Sequence, residues 1–192
     1  MDKDFTIPEQ TLWGDYKDDP SAQHRYRKML KFLETEIQPK DKILDVGSYN
    51  PFTEIIHEKY GILCESTYGD LDRNFKMLSW QYDFIICADV IEHVFDPYHL
   101  LFTLFLHLKR NGKLFISTPI HPYFLGMGPG HFHEMDRYRF EKLIQRANFE
   151  IIRYETYFPY NTHHPKNLIG LRPFLRMFHR SKALIICKKG GG

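Results

Sequence analysis

Cysteine is scarce in this chain, and no hydrophobic run is long enough to span a membrane. Three cysteines occur among 192 residues, and each lies in an apolar stretch. Buried thiols in a reducing compartment account for them more simply than disulfides or a metal site. The longest apolar run, residues 99–108, is too short for a transmembrane helix, and the polar N-terminus does not match a signal peptide. We therefore expect a cytoplasmic protein without stable membrane insertion.

An excess of one charge is also missing, because the formal net charge is only +2. The charge is unevenly distributed, however, and residues 136–192 contain 12 Lys and Arg against 4 Asp and Glu. This basic C-terminal third either faces an anionic partner or forms a solvated basic surface. No run of five or six like charges occurs, so no nucleic-acid partner is expected.

The length and the 43% hydrophobic content fit one globular domain over residues 1–192. Apolar strands alternate with amphipathic helices over residues 40–189, which predicts a doubly wound, mainly parallel α/β sheet flanked by helices. The sequence also predicts an N-terminal arm (residues 1–20) and a helix that Ser21 caps (21–37). Two further segments, residues 120–135 and 160–181, are candidate lids.

One strand-to-helix turn is a candidate binding loop. Ligands bind beyond the carboxyl ends of strands in such sheets, and Gly47 follows the first strand directly. The turn lacks the G-x-G-x-x-G pattern, which argues against a dinucleotide, whereas a ligand without phosphates tolerates Tyr49. Asn50 and Pro51 are typical of a helix start. A capped turn without a ligand is the alternative.

Two acids follow this turn at a spacing typical of a group that holds ribose hydroxyls. Glu65 lies 18 positions after Gly47 and Asp70 lies 23 after it. A carboxylate accepts two hydroxyl hydrogen bonds at once, so either acid suits this role. Solvated turn residues are the alternative.

A longer ordered pattern occupies residues 82–119. The positions that define it are Tyr82-Asp83, Asp89, Glu92-His93, Asp96-Pro97, Leu108-Lys109, Gly112 and Ser117-Thr118-Pro119. This pattern resembles the central region of the class I methyltransferases that act on small molecules. Weaker similarity extends over residues 40–189, although Tyr49 and Pro51 stand where that family usually has glycine.

The resemblance implies a Rossmann-like sheet of seven strands, with an antiparallel last strand, and S-adenosylmethionine as cofactor. It implies methyl transfer to an O or N atom of a small molecule, and the basic C-terminal third favours an anionic or sugar-containing acceptor. A catalytically impaired binding or assembly protein is the alternative. The implied cofactor contacts are Asp45, Gly47 and Tyr49 near the methionine part, Glu65 or Asp70 at the ribose, Asp72 near the adenine, and Asp89 at the cationic end.

Histidines are the candidate general bases, because a hydroxyl acceptor must lose a proton. His93 and His131 are the predicted catalytic residues, and His121 and His133 lie in the same region of the sequence. His131 and His133 alternate as metal ligands on a strand do, but no third ligand is evident, so no metal is predicted. The sequence leaves the identity of the acceptor and the oligomeric state open.

Overall fold

A computed structural model describes residues 20–77, 80–120, 130–158 and 181–190. These residues form four helices and six strands. The helices are α1 (Pro20–Leu33), α2 (Pro51–Tyr60), α3 (Pro97–His107) and α4 (Arg137–Arg146). The strands are β1 (Ile43–Asp45), β2 (Glu65–Ser66), β3 (Tyr82–Ala88), β4 (Leu108–Ile120), β5 (Phe149–Tyr157) and β6 (Ser181–Lys189).

The strands make one sheet in the order β2-β1-β3-β4-β6-β5. The pairs β1–β2, β1–β3 and β3–β4 are parallel, whereas β6 is antiparallel to both β4 and β5. The sheet is therefore mainly parallel with an antiparallel last strand, which confirms the predicted fold class. The direction of β6 also puts its first residues beside the carboxyl ends of the parallel strands.

The described part of the chain forms six strands, one fewer than the seven expected. Between β2 and β3 the chain folds back on itself, and Tyr68 and Lys76 form an isolated antiparallel bridge. Their backbone N–H groups each donate to the other's carbonyl oxygen, over 3.0 and 2.7 Å. A turn follows Asp70 within this bridge. The segment between β2 and β3 is too short for both a helix and a strand, and a small turn occupies it instead.

Local capping explains where the helices begin. Asn50 accepts hydrogen bonds from the backbone N–H groups of Phe52 and Thr53, and the Thr53 hydroxyl accepts from Asn50 in return. This capping box starts α2 at Pro51, as predicted. The helix expected over residues 21–37 is α1, which also includes Pro20, so the backbone of Ser21 lies within the helix.

Helix α1 also ends earlier than expected, at Leu33. The N–H groups of Glu36 and Ile37 both donate to the Leu33 carbonyl oxygen, which turns the chain before it reaches Pro39, where proline predicts the end of a helix. Asn111-Gly112 predicts the end of α3, followed by a strand over residues 113–119, but β4 already begins at Leu108. Tyr82 of β3 pairs with Leu108, whereas Phe84 pairs with Lys113, so the extra residues of β4 between these two pairs form an irregularity in the sheet.

Helices cover the sheet on both faces, because successive strand residues point to opposite sides. One core cluster joins Ile85 and Cys87 of β3 to α3 and α4. The other joins Phe84 and Ile86 to α1 and α2. Each large side chain buried in this way contributes about 1.5–3 kcal/mol. The two clusters hold the sheet rigid beneath the loops at its carboxyl edge.

Several residues of the 82–119 pattern stabilise the opposite, amino edge of the sheet. The Asp83 carboxylate accepts from the Lys109 ammonium at 2.7 Å and from the backbone N–H of Lys42 at 3.0 Å. Burial opposes ionisation of Asp83, but the bond to Lys109, the bond from the Lys42 backbone and the nearby lysine charges together outweigh it and lower the pKa of Asp83. The Tyr82 hydroxyl donates to Glu65 at 2.6 Å. These contacts tie β2, β3 and β4 together.

All three cysteines are free thiols, and Cys87 and Cys187 are buried, which agrees with the expectation of thiols without disulfides. Burial raises the pKa of Cys64 to about 12. No helix in the described ranges is long and apolar enough to cross a membrane.

Gly112 gives a prediction about this sheet. A Cβ atom there would lie 2.8 Å from Leu108 Cδ1 and 3.0 Å from the Asp83 carbonyl oxygen. Leu108 is fully buried, so it has little room to shift. We expect Gly112→Ala to reduce the free energy of unfolding by about 1–3 kcal/mol. Urea denaturation measures this loss, and the exposed neighbouring variant Asn111→Ala serves as the control. Equal stability of the two variants would show that the contact is not restrictive.

Candidate functional site

A cavity of about 310 Å³ opens at the carboxyl edge of the sheet. This volume lies at the lower end of the range for small-molecule clefts. Helix α1, the turn after β1, the start of α2 and the segment after β3 all contribute to its wall. The polar or flexible lining residues are Arg25, Asp45, Gly47, Ser48, Asn50, Asp89 and His93.

The turn after β1 leaves open space at Gly47. Its φ of +112° is one that residues with a side chain rarely adopt, and a Cβ built there meets no atom within 4 Å. Backbone and hydroxyl hydrogen bonds tie Gly47 to Thr67 of the next loop, over 3.2 and 2.8 Å. Tyr49 is 57% exposed and does not line the cavity. Pro51 is the first residue of α2, so neither departure from glycine fills this space.

Asp45 supports this turn from below. Its carboxylate is 2% exposed and accepts hydrogen bonds from the Asn50 amide and the Thr53 hydroxyl. Burial raises the pKa of Asp45 to about 6, although those two bonds oppose the rise. The predicted cofactor residue Asp45 therefore borders the cavity while it also fixes the cap of α2.

Asp89 is the charged centre of the cavity wall. Its carboxylate lies 3.1 Å from Arg25 Nη1 and 2.6 Å from Lys182 Nζ, and it accepts a hydrogen bond from the Ser117 hydroxyl. Burial opposes ionisation, but Lys182 and then Arg25 outweigh it, so the pKa of Asp89 is lowered. Asp89 therefore carries its negative charge at neutral pH, between two cations.

Sequence reasoning missed Arg25 and Lys182. Arg25 lies on α1, 64 positions before Asp89, and no local motif marks it. Lys182 could have been found, because the predicted antiparallel direction of the last strand brings that strand's first residues to the carboxyl edge.

Tyr157 adds a buried hydroxyl that has no hydrogen-bond partner among the described residues. Its pKa is raised by burial and then by Asp89.

The three remaining acids of the predicted cofactor set lie outside the cavity lining. The Glu65 carboxylate accepts from Tyr82 and lies 3.3 Å from Lys42 Nζ. Asp70 is exposed, and its carboxylate accepts from the backbone N–H of Asp72 at 2.9 Å.

Asp72 has a clear structural role. Its carboxylate accepts from the backbone N–H groups of Phe95 and Asp96, at 2.6 and 3.2 Å. It thereby fastens the short turn after β2 to the segment that leads into α3.

The predicted catalytic pair, His93 and His131, is brought together beside the cavity. The ring centroids are 4.5 Å apart, and the rings meet edge to face. His93 Nδ1 lies 2.8 Å from the Gly130 carbonyl oxygen, and His131 Nδ1 is bonded to the Glu134 carboxylate. His133 does not join the pair, because its Nε2 lies 3.0 Å from the Phe95 carbonyl oxygen.

Glu92 lies beneath these rings and is only 1% exposed. The Thr118 hydroxyl donates to its carboxylate at 3.2 Å. Burial, and then the nearby charge of Asp89, raise the pKa of Glu92 well above the usual range. The sequence did not indicate that the Glu92 carboxyl group would be buried, because its position in the chain does not distinguish it from a surface acid.

Some predicted features lie outside the described residues. They include residues 121–129 of the first candidate lid, and with them His121. They also include residues 160–180 of the second candidate lid.

The Asp45 environment predicts a pH-dependent change in stability. Asp45→Asn removes the titrating group but keeps an oxygen that accepts from Thr53 and Asn50. The folded pKa of Asp45, about 6, exceeds the ordinary 3.8, so the native state binds more protons between these values. The wild-type free energy of unfolding therefore falls as pH rises through about 6.

We expect the stability of Asp45→Asn relative to the wild type to increase by about 1 kcal/mol from pH 5 to pH 8. Urea denaturation of both proteins at the two pH values measures this change. A stability difference that is the same at both would contradict the raised pKa.

Comparison with known families gives one match over most of the chain. The family described as "Methyltransferase domain" matches residues 19–154. No curated protein matches the chain at a significant level.

Solved structures share the fold at low sequence identity. A Galdieria sulphuraria protein assigned as a sarcosine dimethylglycine methyltransferase is 14% identical, with a TM-score of 0.65, over 93% of this chain and 92% of that one. The cyclase SpnF is 12% identical, with a TM-score of 0.64, over 94% of this chain and 87% of that one.

The phosphoethanolamine N-methyltransferase 2 of Haemonchus contortus was solved with phosphomonomethylethanolamine and S-adenosylhomocysteine. It is 11% identical, with a TM-score of 0.61, and the match covers 88% of this chain but 53% of that protein. At such identities the structures show the fold alone, whereas the family match covers well over half of the chain. The chain belongs to the methyltransferase-domain family and is an S-adenosylmethionine-dependent methyltransferase.

Proposed function

We propose that this methyltransferase acts on a hydroxyl oxygen of a small, negatively charged acceptor. The pairing of His93 and His131 beside the cavity carries this proposal. A hydroxyl must lose its proton as it attacks, whereas a neutral amine is already nucleophilic, so a basic group favours an oxygen acceptor. The Gly130 carbonyl and the Glu134 carboxylate accept from the Nδ1 atoms, which leaves each Nε2 with a lone pair in the neutral ring.

The residues around the cavity fit the methionine end of S-adenosylmethionine, which supplies an activated methyl group when it is bound. That end is a zwitterion, and the Arg25–Asp89 pair offers one charge of each sign at the cavity wall. In the proposed complex Arg25 binds the carboxylate and Asp89 binds the ammonium group. The open side of Gly47 gives the ligand room to lie against the backbone.

The two departures from the family's glycines do not argue for an impaired enzyme. Tyr49 projects to solvent, and Pro51 is tolerated because it occupies the first position of α2. The alternative of a binding or assembly protein rested on those two departures. The structurally similar SpnF is a cyclase, so this fold also occurs in an enzyme named for another reaction. The fold is therefore compatible with other chemistry, and the site must decide between them.

For the ribose we propose Asp70 rather than Glu65. Glu65 accepts a 2.6 Å hydrogen bond from the buried Tyr82 hydroxyl, and the loss of that bond would be costly. Asp70 is exposed, so its carboxylate can change partners with little loss. Asp72 would then contribute through the turn that it holds, near the adenine.

In the proposed reaction, bound S-adenosylmethionine would supply the methyl group to the acceptor oxygen and would leave as S-adenosylhomocysteine. Nε2 of His93 or His131 would take the hydroxyl proton. Arg25 and Lys182 provide two positive charges against the single Asp89, so a negatively charged acceptor is favoured near them. Alignment of the acceptor and exclusion of water are the main demands on the protein.

The cofactor assignment predicts a loss of affinity in two variants. Loss of one charged contact costs about 1.5–3 kcal/mol, so Arg25→Gln and Asp89→Asn should each bind S-adenosylhomocysteine at least tenfold more weakly in calorimetry. Asn suits position 89 because it tolerates the positive φ of 56° found there. The control is Arg27→Gln, an exposed arginine on the same helix. Wild-type affinity in both test variants would refute the assignment.

The choice of ribose acid is tested by the pair Asp70→Asn and Glu65→Gln. We expect Asp70→Asn to weaken binding of S-adenosylhomocysteine by about tenfold, because a charged hydrogen bond to a hydroxyl is lost. Glu65→Gln should lower the melting temperature while affinity stays near the wild-type value. The reverse pattern would assign the ribose to Glu65.

The acceptor class is tested with methyl-labelled S-adenosylmethionine and matched pairs of small compounds. Each pair contains a carboxylated hydroxyl compound and the corresponding amine. We expect label to be transferred to the hydroxyl member, and uncharged analogues to react more slowly. Label on the amines alone would overturn the oxygen assignment, and no binding of cofactor at millimolar concentration would favour the assembly protein.

A further inference from the structure

Three side chains that can bind a metal meet beside the cavity. One donor atom each from Glu92, His93 and His131 lies within 4.8 Å of the others. Glu92 and His93 follow β3 in the chain, whereas His131 lies 38 positions beyond His93. His133 does not take part, because its Nε2 lies against the Phe95 carbonyl oxygen.

Hydrogen bonds set both imidazoles in the tautomer that a metal requires. The Gly130 carbonyl oxygen can only accept, so the proton of His93 is on Nδ1. The Glu134 carboxylate accepts from His131 Nδ1 in the same way, and its side chain is 3% exposed. In each ring Nε2 keeps the lone pair. Metal-binding histidines in proteins are held by this arrangement, with the second nitrogen bonded to a carbonyl or a carboxylate.

The two segments that carry the donors are also fastened to each other. The backbone N–H groups of Phe132 and His133 both donate to the Glu92 carbonyl oxygen, at 2.7 and 3.2 Å. These two hydrogen bonds therefore fix the distance between His93 and His131 before any ligand binds. Such preorganisation reduces the entropy lost when an ion binds.

The surroundings of Glu92 also suit a cation. Its carboxyl group is buried and accepts one hydroxyl hydrogen bond, from Thr118. A buried carboxylate is costly unless a positive charge is close by. Of the nearby cations, Arg25 and Lys182 both bind Asp89 directly, at 3.1 and 2.6 Å. The charge of Lys182 also acts on Glu92, but burial and Asp89 outweigh it. An ion between Glu92 and the two imidazoles would place a positive charge in direct contact with this carboxylate.

We propose that Glu92, His93 and His131 form a binding site for one divalent transition-metal ion. Two imidazole nitrogens and one carboxylate suit Zn²⁺, Mn²⁺ or Fe²⁺ better than Mg²⁺ or Ca²⁺, which prefer oxygen ligands. Three protein ligands leave coordination positions open, as in catalytic rather than structural sites.

The coordination positions that the protein leaves open on such an ion determine which class of acceptor it could bind. An acceptor with two adjacent oxygen atoms, for example a hydroxyl beside a carboxylate, could occupy them together. This part of the inference rests on the proposed oxygen methylation, whereas binding of the ion itself does not. With the ion bound, His93 and His131 would hold it, and the hydroxyl proton would pass to solvent water, because coordination to a cation makes a hydroxyl more acidic.

Direct metal binding tests the site without any assay of activity. The full chain is stripped with a chelator, and Co²⁺ is added while visible absorption is recorded. Zn²⁺ is titrated in parallel by calorimetry. We expect one equivalent to bind with micromolar affinity or better, and His93→Ala and His131→Ala each to weaken binding at least a hundredfold. Glu134→Gln should weaken it about tenfold by releasing the His131 ring.

Two histidine controls identify the ligands. His99→Ala removes an exposed imidazole nearby, and His133→Ala removes the other half of the His-x-His pair; both should bind one equivalent with wild-type affinity. Circular dichroism melting shows whether each variant is folded. Stoichiometric binding that survives in folded His93→Ala and His131→Ala, or affinity no better than millimolar in the wild type, would overturn the proposal.

The two proposals fail in different ways. S-adenosylhomocysteine affinity and methyl transfer are measured on the stripped protein with and without Zn²⁺ or Mn²⁺. Tight metal binding with label found only on amines would support the site and refute the oxygen acceptor. Full transfer to hydroxyl compounds without metal binding would support the oxygen acceptor and refute the site.

Discussion

The neutralisation of one partly buried carboxylate organises the carboxyl edge of this sheet. Asp89 can stay charged there only because Arg25 and Lys182 lie against it. These partners come from α1 and from the antiparallel strand β6, and the Ser117 hydroxyl adds β4. The carboxylate thus joins elements that are far apart in the chain. The cavity wall, and the turn that carries Glu92 and His93, both depend on that junction.

Much of the fold could be predicted from periodicity and capping residues, because these act over a few neighbouring positions. Asn50 and Pro51 start α2 where expected, and the antiparallel last strand is confirmed. The seventh strand was not found among the described residues, since the interval after β2 holds only a bridged turn. Strand ends were also misjudged, because β4 begins within what looked like the end of a helix.

The candidate site was less accessible to sequence reasoning. Gly47 and Asp89 were predicted at the cofactor site from their positions just after strands, and both line the cavity. The partners of a charged group depend on tertiary contacts, so Arg25 and Glu134 carried no local signal. The histidines are a different case. His93 and His131 were predicted as the catalytic residues, and the backbone joint at Glu92 holds their rings together, which spacing alone could not indicate.

The amino edge of the sheet has a different consequence, for how such proteins are recognised. Asp83 and Lys109 bond to each other at the end of the sheet away from the cavity, and Gly112 passes close to the Asp83 backbone. These residues belong to the 82–119 pattern that resembles the family, yet their contacts serve folding. Loss of His131 would leave every position of that pattern in place, and loss of His93 would remove only one of them. The pattern thus reports the fold at one edge of the sheet, while the groups proposed for catalysis at the other edge can change almost independently of it.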